Sequence, residues 1–157
     1  MIQKKIAVFP GSFDPFTTGH QNIISRSLDL FDEIIIAIGA HSQKTSHFPL
    51  EKRLNIIRHL YKDEGKIKVD DYDNLTIDFC KKVGANYLLR GLRTSADFEY
   101  ERAIAQVNRK MNDQVETVFL LTTPELTPVK STIVREILRH GGDVSQFLPS
   151  GINLDDF

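Results

Sequence analysis

Glu33-Ile-Ile-Ile-Ala-Ile-Gly39 decides the fold. Seven residues are too few for a free-standing helix, and the run is too apolar for a strand with one wet face. It therefore reads as a parallel strand buried on both sides. Outward from it, short apolar runs alternate with longer amphipathic ones. Upstream, Ile6-Ala-Val-Phe9 reads as a strand, followed by a Pro/Gly turn and a helix over about 20–30 with Ile23, Ile24, Ser27 and Leu28 on one face. Downstream, a loop holding Lys44 leads to Pro49, a favoured first helical residue, and a helix to about residue 61. Residues 66–70 alternate as a third strand, and 75–83 form a helix stopped by Gly84. Residues 87–90 are a fourth strand, 96–111 the longest helix, and 116–121 a fifth strand. A last helix over 131–140 stops at Gly141-Gly142. Five strand-then-helix units predict an α/β fold, a doubly wound five-stranded parallel sheet with helices on both faces. In such sheets ligands sit at the carboxyl ends of the strands.

The chain has 157 residues and a mass of 17.9 kDa, and no linker, repeat or low-complexity tract divides it, so residues 1–157 are expected to form a single domain. Twenty Lys+Arg against twenty-one Asp+Glu leave a net charge of −1. A general nucleic-acid binder usually shows a strong basic excess, so no nucleic-acid partner is expected, and any anionic ligand must be met by a local basic cluster. The longest apolar stretch, 34–40, is far short of the roughly 20 residues of a membrane helix, so no membrane partner is expected either. The opening Met-Ile-Gln-Lys-Lys lacks a signal-peptide core, and with a single cysteine this predicts a cytoplasmic protein. That cysteine, Cys80, sits in a helical pattern beside no activating base and reads as a packing residue.

The residues after each strand carry the chemistry. Pro10-Gly-Ser-Phe-Asp-Pro-Phe-Thr-Thr-Gly-His20 is neither a dinucleotide fingerprint nor a P-loop. It offers Gly11 for close backbone approach, a hydroxyl at Ser12, and Gly19-His20 at a helix N-terminus able to hold an anion. Turn-and-cap chemistry is the plainer alternative for residues 17–20. After the second strand, Lys44 is weak evidence by itself. After the fourth, Arg90-Gly-Leu-Arg93 places arginine where an apolar strand ends, and its planar fork suits phosphate. A structural ion pair with Asp97 or Glu101 is the alternative, less expected for both arginines than for one. After the fifth, Thr127-Pro-Val-Lys-Ser-Thr132 brings Lys130 beside Ser131 and Thr132 at a second helix N-terminus. Helix capping alone would explain the two hydroxyls; the lysine points to phosphate. The first, second, fourth and fifth strand ends converge on one rim, and a polyphosphate site is the economical reading.

Gly11-Ser-Phe-Asp-Pro-Phe-Thr-Thr-Gly-His20 resembles the T/H-x-G-H signature of the nucleotidyltransferase superfamily, which implies its Rossmann-like fold. Arg90-Gly-Leu-Arg-Thr-Ser-Ala-Asp-Phe-Glu-Tyr-Glu101, with Lys44 and Ser131-Thr-Ile-Val-Arg135, is similar to the bacterial phosphopantetheine adenylyltransferase family over nearly the whole chain. The resemblance implies adenylyl transfer from ATP to 4'-phosphopantetheine, giving dephospho-coenzyme A and pyrophosphate, with Mg²⁺ as cofactor and a homohexameric assembly. It implies His20, Lys44 and Arg90 as the catalytic residues. Ser12, Phe13, His20, Gly91, Leu92, Arg93, Glu101, Leu126, Thr127, Pro128, Val129, Lys130, Ser131 and Thr132 would bind ATP. Ser12, Lys44, Thr76 and Arg90 would bind phosphopantetheine. Ser12 stands where many relatives carry Thr, and Lys130 where relatives usually carry Ser.

The chemistry fits a chain without paired carboxylates or a Ser/His/Asp arrangement at its strand ends. A phosphate monoester with a second pKa near 6 is already mostly a dianion at neutral pH, so it needs no general base. It needs alignment of two repelling anions and donors aimed at the α-phosphate. No carboxylate cluster or histidine spacing marks a protein-held metal, so Mg²⁺ is expected to arrive on the phosphates. Two other readings stand beside this one: a related transferase with a different acceptor or nucleotide, such as a cytidylyltransferase or a nicotinate-mononucleotide adenylyltransferase, and a non-catalytic nucleotide-binding module.

Overall fold

The structure, a computed structural model, describes residues 2–40 and 46–157. Strands β1 (Ile6–Gly11), β2 (Glu33–Gly39), β3 (Ile67–Tyr72), β4 (Tyr87–Leu92) and β5 (Glu116–Leu121) form one parallel sheet in the order β3-β2-β1-β4-β5. Helices α1 (Thr18–Ser27), α2 (Leu50–Leu60), α3 (Thr76–Val83), α4 (Ser95–Met111) and α5 (Ser131–Arg139) connect or follow the strands. The predicted doubly wound architecture is the observed one.

All seven residues of β2 are buried. Its side chains alternate: Ile34, Ile36 and Ile38 join Ala7 and Phe9 under Ile23 and Ile24 of α1 and Leu54 and Ile57 of α2. Ile35 and Ala37 join Val8 on the opposite face under Ile77, Phe79 and Cys80 of α3. Burying an isoleucine side chain is worth roughly 1.5–3 kcal/mol, so this strand anchors both layers. Cys80 is fully buried there and its thiol is pushed up to about 12 by desolvation, as a packing residue requires. Val134 of α5 packs with Ile56 of α2 and with Val144, Leu148, Ile152 and Leu154, so the C-terminal segment closes over these two helices.

Several boundaries differ from the sequence reading. Helix α1 begins at Thr18, because Thr17 caps it and His20 already occupies the third helical position. Pro49 is the N-cap of α2 rather than its first residue. Strand β1 continues through Pro10 and Gly11, which pair with Ala37 and Ile38. Strand β4 continues two residues past Arg90, because Gly91 and Leu92 pair with Leu120 and Leu121. Arg90 therefore lies inside the last turnless stretch of the sheet, not beyond it.

Candidate active site

Strands β1 and β4 are neighbours in the sheet, with the connections from them leading to opposite sides, which makes their carboxyl ends the switch point of the fold. Two clefts of about 310 Å³ each open there. They share Pro10, Gly11, Ser12 and Arg90 as a common wall. The first runs toward α3 and α4 and is lined further by Tyr72, Thr76, Glu101, Ile104 and Asn108. The second lies between the N-termini of α1 and α5 and includes Phe13, His20, Arg93, Lys130, Thr132 and Arg135. Among the described residues, four cationic side chains (Arg90, Arg93, Lys130 and Arg135) line this second cleft and no carboxylate does. Its preferred occupant is a polyanion.

His20 is held in one orientation and one protonation state. Its Nδ1 accepts the Thr17 backbone N–H at 3.0 Å, while the Thr17 hydroxyl accepts the His20 N–H, which completes a capping box. A nitrogen that accepts a backbone N–H carries no proton, so the proton of the neutral ring is on Nε2. Desolvation, then the positive charges of Arg93 and Arg90, push the imidazole pKa down to about 3. The ring packs against Phe13 and Phe16, with centroids 5.0 and 5.2 Å away. At neutral pH His20 thus offers the second cleft an uncharged, fixed N–H donor. The capping reading of residues 17–20 is realised through Nδ1, which leaves Nε2 outside the cap.

Both arginines of the fourth strand end are ion-paired, the outcome that was less expected than a pair at one of them. Arg90 grips Glu101 with Nε (3.0 Å) and Nη2 (2.6 Å) and donates from Nη1 to the Pro10 carbonyl at 2.6 Å. Arg93 pairs with Asp97 at 3.3 Å. The Arg90 contacts leave one hydrogen on each terminal nitrogen, and they fix the guanidinium at the wall common to both clefts. Gly11, expected to allow close backbone approach, and Gly91 are also required by packing. A Cβ on Gly11 would lie 2.9 Å from Cζ of Phe13, and one on Gly91 would lie 3.0 Å from Cγ1 of Ile23. Gly11 makes room for the Phe13 ring and Gly91 for α1, rather than for ligand approach from the Cβ side.

Capping does not account for the hydroxyls of α5. Ser131 donates to the Pro15 carbonyl at 2.9 Å, and the Thr132 hydroxyl accepts from Arg135 at 3.3 Å. The helix has no side-chain cap, and among the described residues the N–H groups of Ser131, Thr132 and Ile133 have no partner, Val134 being the first to find one. These three N–H groups leave the α5 terminus with free donors at the second cleft, of the kind an anion can take up. Arg135, one turn along, donates to the Asp14 carbonyl at 2.9 Å, so α5 and the β1–α1 loop are tied together on both sides of the opening.

Of the residues expected at the site, Ser12, Phe13, Thr76, His20, Arg90, Gly91, Arg93, Val129, Lys130, Ser131 and Thr132 line one cleft or both. Glu101, which the resemblance assigns to ATP, lines the first cleft instead of the second. Leu92 is buried in the sheet, and Leu126, Thr127 and Pro128 form the turn after β5 without lining either cleft. Lys44 lies outside the described residues. Arg135 and Tyr72, whose hydroxyl is 2.9 Å from that of Thr76, were not expected at the site. Arg135 shares a helix face with Ser131, four residues apart, which is the signal that could have found it. Among the described residues no three His, Cys, Asp or Glu side chains converge to hold a metal, and no helix is long and apolar enough to cross a membrane.

Residues 8–137 match the family of cytidylyltransferase-like proteins. The chain is 52% identical over 148 residues to phosphopantetheine adenylyltransferase of Bacteroides fragilis, covering 94% of this chain and 98% of that one. It is 54% identical over 149 residues to the protein of the same name from Bacteroides thetaiotaomicron, covering 95% and 98%. Among solved structures it is similar to a Vibrio parahaemolyticus protein provisionally assigned as nicotinate-nucleotide adenylyltransferase, with a TM-score of 0.69, 21% identity and coverage of 98% and 97%. It is also similar to a bifunctional NMN adenylyltransferase/ADP ribose pyrophosphatase of Francisella tularensis, with a TM-score of 0.70 and 17% identity, over 96% of this chain and 46% of that one. These two likenesses concern the fold alone.

Proposed function

The chain belongs to the phosphopantetheine adenylyltransferase family, and from that premise we propose that it transfers the adenylyl group of ATP to 4'-phosphopantetheine, giving dephospho-coenzyme A and pyrophosphate. The observation that carries the residue-level reading is the pair of clefts meeting at Pro10, Gly11, Ser12 and Arg90. Two substrates in two clefts with one shared wall place their reacting atoms side by side, which is the main requirement of an uncatalysed-nucleophile displacement.

ATP occupies the second cleft in this reading. Lys130, Arg93, Arg135 and the free N–H groups of α5 hold its phosphates, and Val129 faces the base. Phosphopantetheine occupies the first cleft, its phosphate held by Arg90 and Lys44 and its remainder passing Thr76 and Tyr72. An oxygen of the acceptor dianion attacks the α-phosphorus as the bond to the β-phosphate oxygen breaks, and pyrophosphate leaves with that electron pair. The His20 Nε2–H and the Ser12 hydroxyl donate to the α-phosphate oxygens as charge gathers on them. A neutral His20 has no lone pair free for proton abstraction, and none is needed.

Mg²⁺ is proposed as the counter-ion of the triphosphate, held by phosphate oxygens and water, since the described residues supply no ligand cluster of their own. A homohexamer and a cytoplasmic location are proposed with the family. Helix α4 supports assembly: it buries no residue within the chain and exposes Phe98, Tyr100, Val107 and Met111. A monomer-sized species in sedimentation equilibrium would contradict it. The function itself is tested by incubating the chain with ATP, Mg²⁺ and phosphopantetheine and measuring pyrophosphate. Turnover of CTP equal to that of ATP, or of nicotinate mononucleotide equal to that of phosphopantetheine, contradicts the assignment, and so does nucleotide binding without turnover.

A further inference from the structure

We infer that Arg53 of α2, which lines neither cleft, is a positioning residue for adenylyl transfer: it holds the Ser12–Phe13 peptide so that the Phe13 N–H faces the nucleotide cleft as a fixed donor. Arg53 is 1% exposed, and a guanidinium taken out of water needs partners. Its Nη1 donates to the Ser12 carbonyl at 2.7 Å and its Nε to the Phe48 carbonyl at 3.0 Å, while among the described residues Nη2 has no partner. Asp14 completes the clasp, its carboxylate accepting the N–H groups of His47 (2.7 Å) and Phe48 (2.9 Å). A buried charge with one nitrogen unsatisfied is a poor way to stabilise a fold, since an apolar side chain of similar volume is often as good or better. What it does supply is direction.

In a planar trans peptide the carbonyl and the N–H point opposite ways. The Ser12–Phe13 peptide is trans. With the Ser12 carbonyl drawn onto Arg53, the Phe13 N–H is turned away from that guanidinium, and both residues of the peptide line the second cleft. Among the described residues that N–H has no partner. Phe13 also holds a φ of 46°, in the left-handed region that a bulky residue rarely occupies. Its ring is locked between Phe9 and Phe16, at 5.3 and 5.4 Å, so both ends of the unusual conformation are pinned. An unbonded N–H, an uncommon φ and a buried clamp on the same peptide describe a preorganised donor beside His20, whose ring lies 5.0 Å from that of Phe13.

The inference rests on the adenylyl-transfer reading, and three measurements on the full chain test it. Folded Arg53→Met, checked by circular dichroism, is expected to lose about 10- to 100-fold in kcat while its Kd for α,β-methylene-ATP stays within about threefold. Arg53→Lys, which keeps one donor for the Ser12 carbonyl, is expected to recover most of the lost kcat. The Phe13 amide resonance of the unaltered chain is expected to shift on adding α,β-methylene-ATP. Folded Arg53→Met with kcat within twofold of the unaltered chain overturns the inference, as does a lysine variant no better than methionine. A Phe13 amide that nucleotide leaves unmoved also overturns it, and decides the matter should Arg53→Met not fold. An unaltered chain without turnover instead fails the adenylyl-transfer reading, and the amide shift then judges the inference by itself.

Discussion

Replacing His20 by alanine removes three things that the structure separates. The first is the Nε2–H donor in the second cleft. A single donor aimed at developing charge is worth about 2.7–4 kcal/mol, so kcat should fall roughly 10²- to 10³-fold. The ground state should feel little of this, because Arg93, Lys130, Arg135 and the α5 terminus still line the nucleotide cleft. The second is the acceptor for the Thr17 N–H, in a residue only 1% exposed. The third is the ring packed on Phe13 and Phe16. Losing the second and third should cost about 2 kcal/mol, or about 4–8 °C in Tm for a chain of this size. The Tm gap should also narrow with acid. The folded chain holds the imidazole pKa near 3 against an ordinary 6.5, so protonation favours the unfolded state as pH falls below about 6.5. Alanine is free of that penalty. Measuring kcat, the Kd for α,β-methylene-ATP and Tm at pH 7.5 and 5.5 on one preparation checks all three effects. A folded variant with near-normal kcat, or one whose nucleotide affinity falls as far as its kcat, would refute the reasoning.

Other consequences are as specific. Arg90→Ala leaves the Glu101 carboxylate unpaired in the first cleft only, so phosphopantetheine should bind about 30- to 150-fold more weakly and ATP much less; equal losses in calorimetry would contradict this. Gly11→Ala drives a methyl into the Phe13 ring and should lower unfolding stability by about 1–3 kcal/mol, read as an earlier urea midpoint; an unmoved midpoint contradicts the packing. Cys80, buried with its thiol near 12, should not react with a thiol reagent until the chain unfolds, and rapid labelling of the active native chain would place it wrongly.

The sheet was legible because its strand β2 is apolar on both faces: nothing but a buried parallel strand explains residues 33–39. The strand ends gave away the site too, since Arg90 interrupts an apolar run and Gly19-His20 stands at a helix N-terminus. Legibility failed where a residue's partner is distant in sequence. Arg53 sits in an amphipathic helix, where an arginine reads as a solvated face, and only the folded loop shows it gripping Ser12, 41 positions away. The grip of Arg135 on the Asp14 carbonyl, 121 positions away, was hidden in the same way, although its spacing from Ser131 was readable. The packing need for Gly11 and Gly91 was not legible, because the atoms that require them, on Phe13 and Ile23, become neighbours only through the packing of the loop and of α1. The double pairing of Arg90 and Arg93 depends on α4 starting at Ser95, which puts Asp97 and Glu101 on the face turned to β4.

The central claim is direct transfer between two clefts that share one wall, with no adenylyl group ever resting on the protein. The stereochemical course at the α-phosphorus tests it most directly, using ATP made chiral there with sulfur and an oxygen isotope, and phosphopantetheine as acceptor. One in-line displacement inverts the centre, and inversion is the predicted result. Retention would mean two displacements and a covalent adenylyl-protein between them, and would contradict the account.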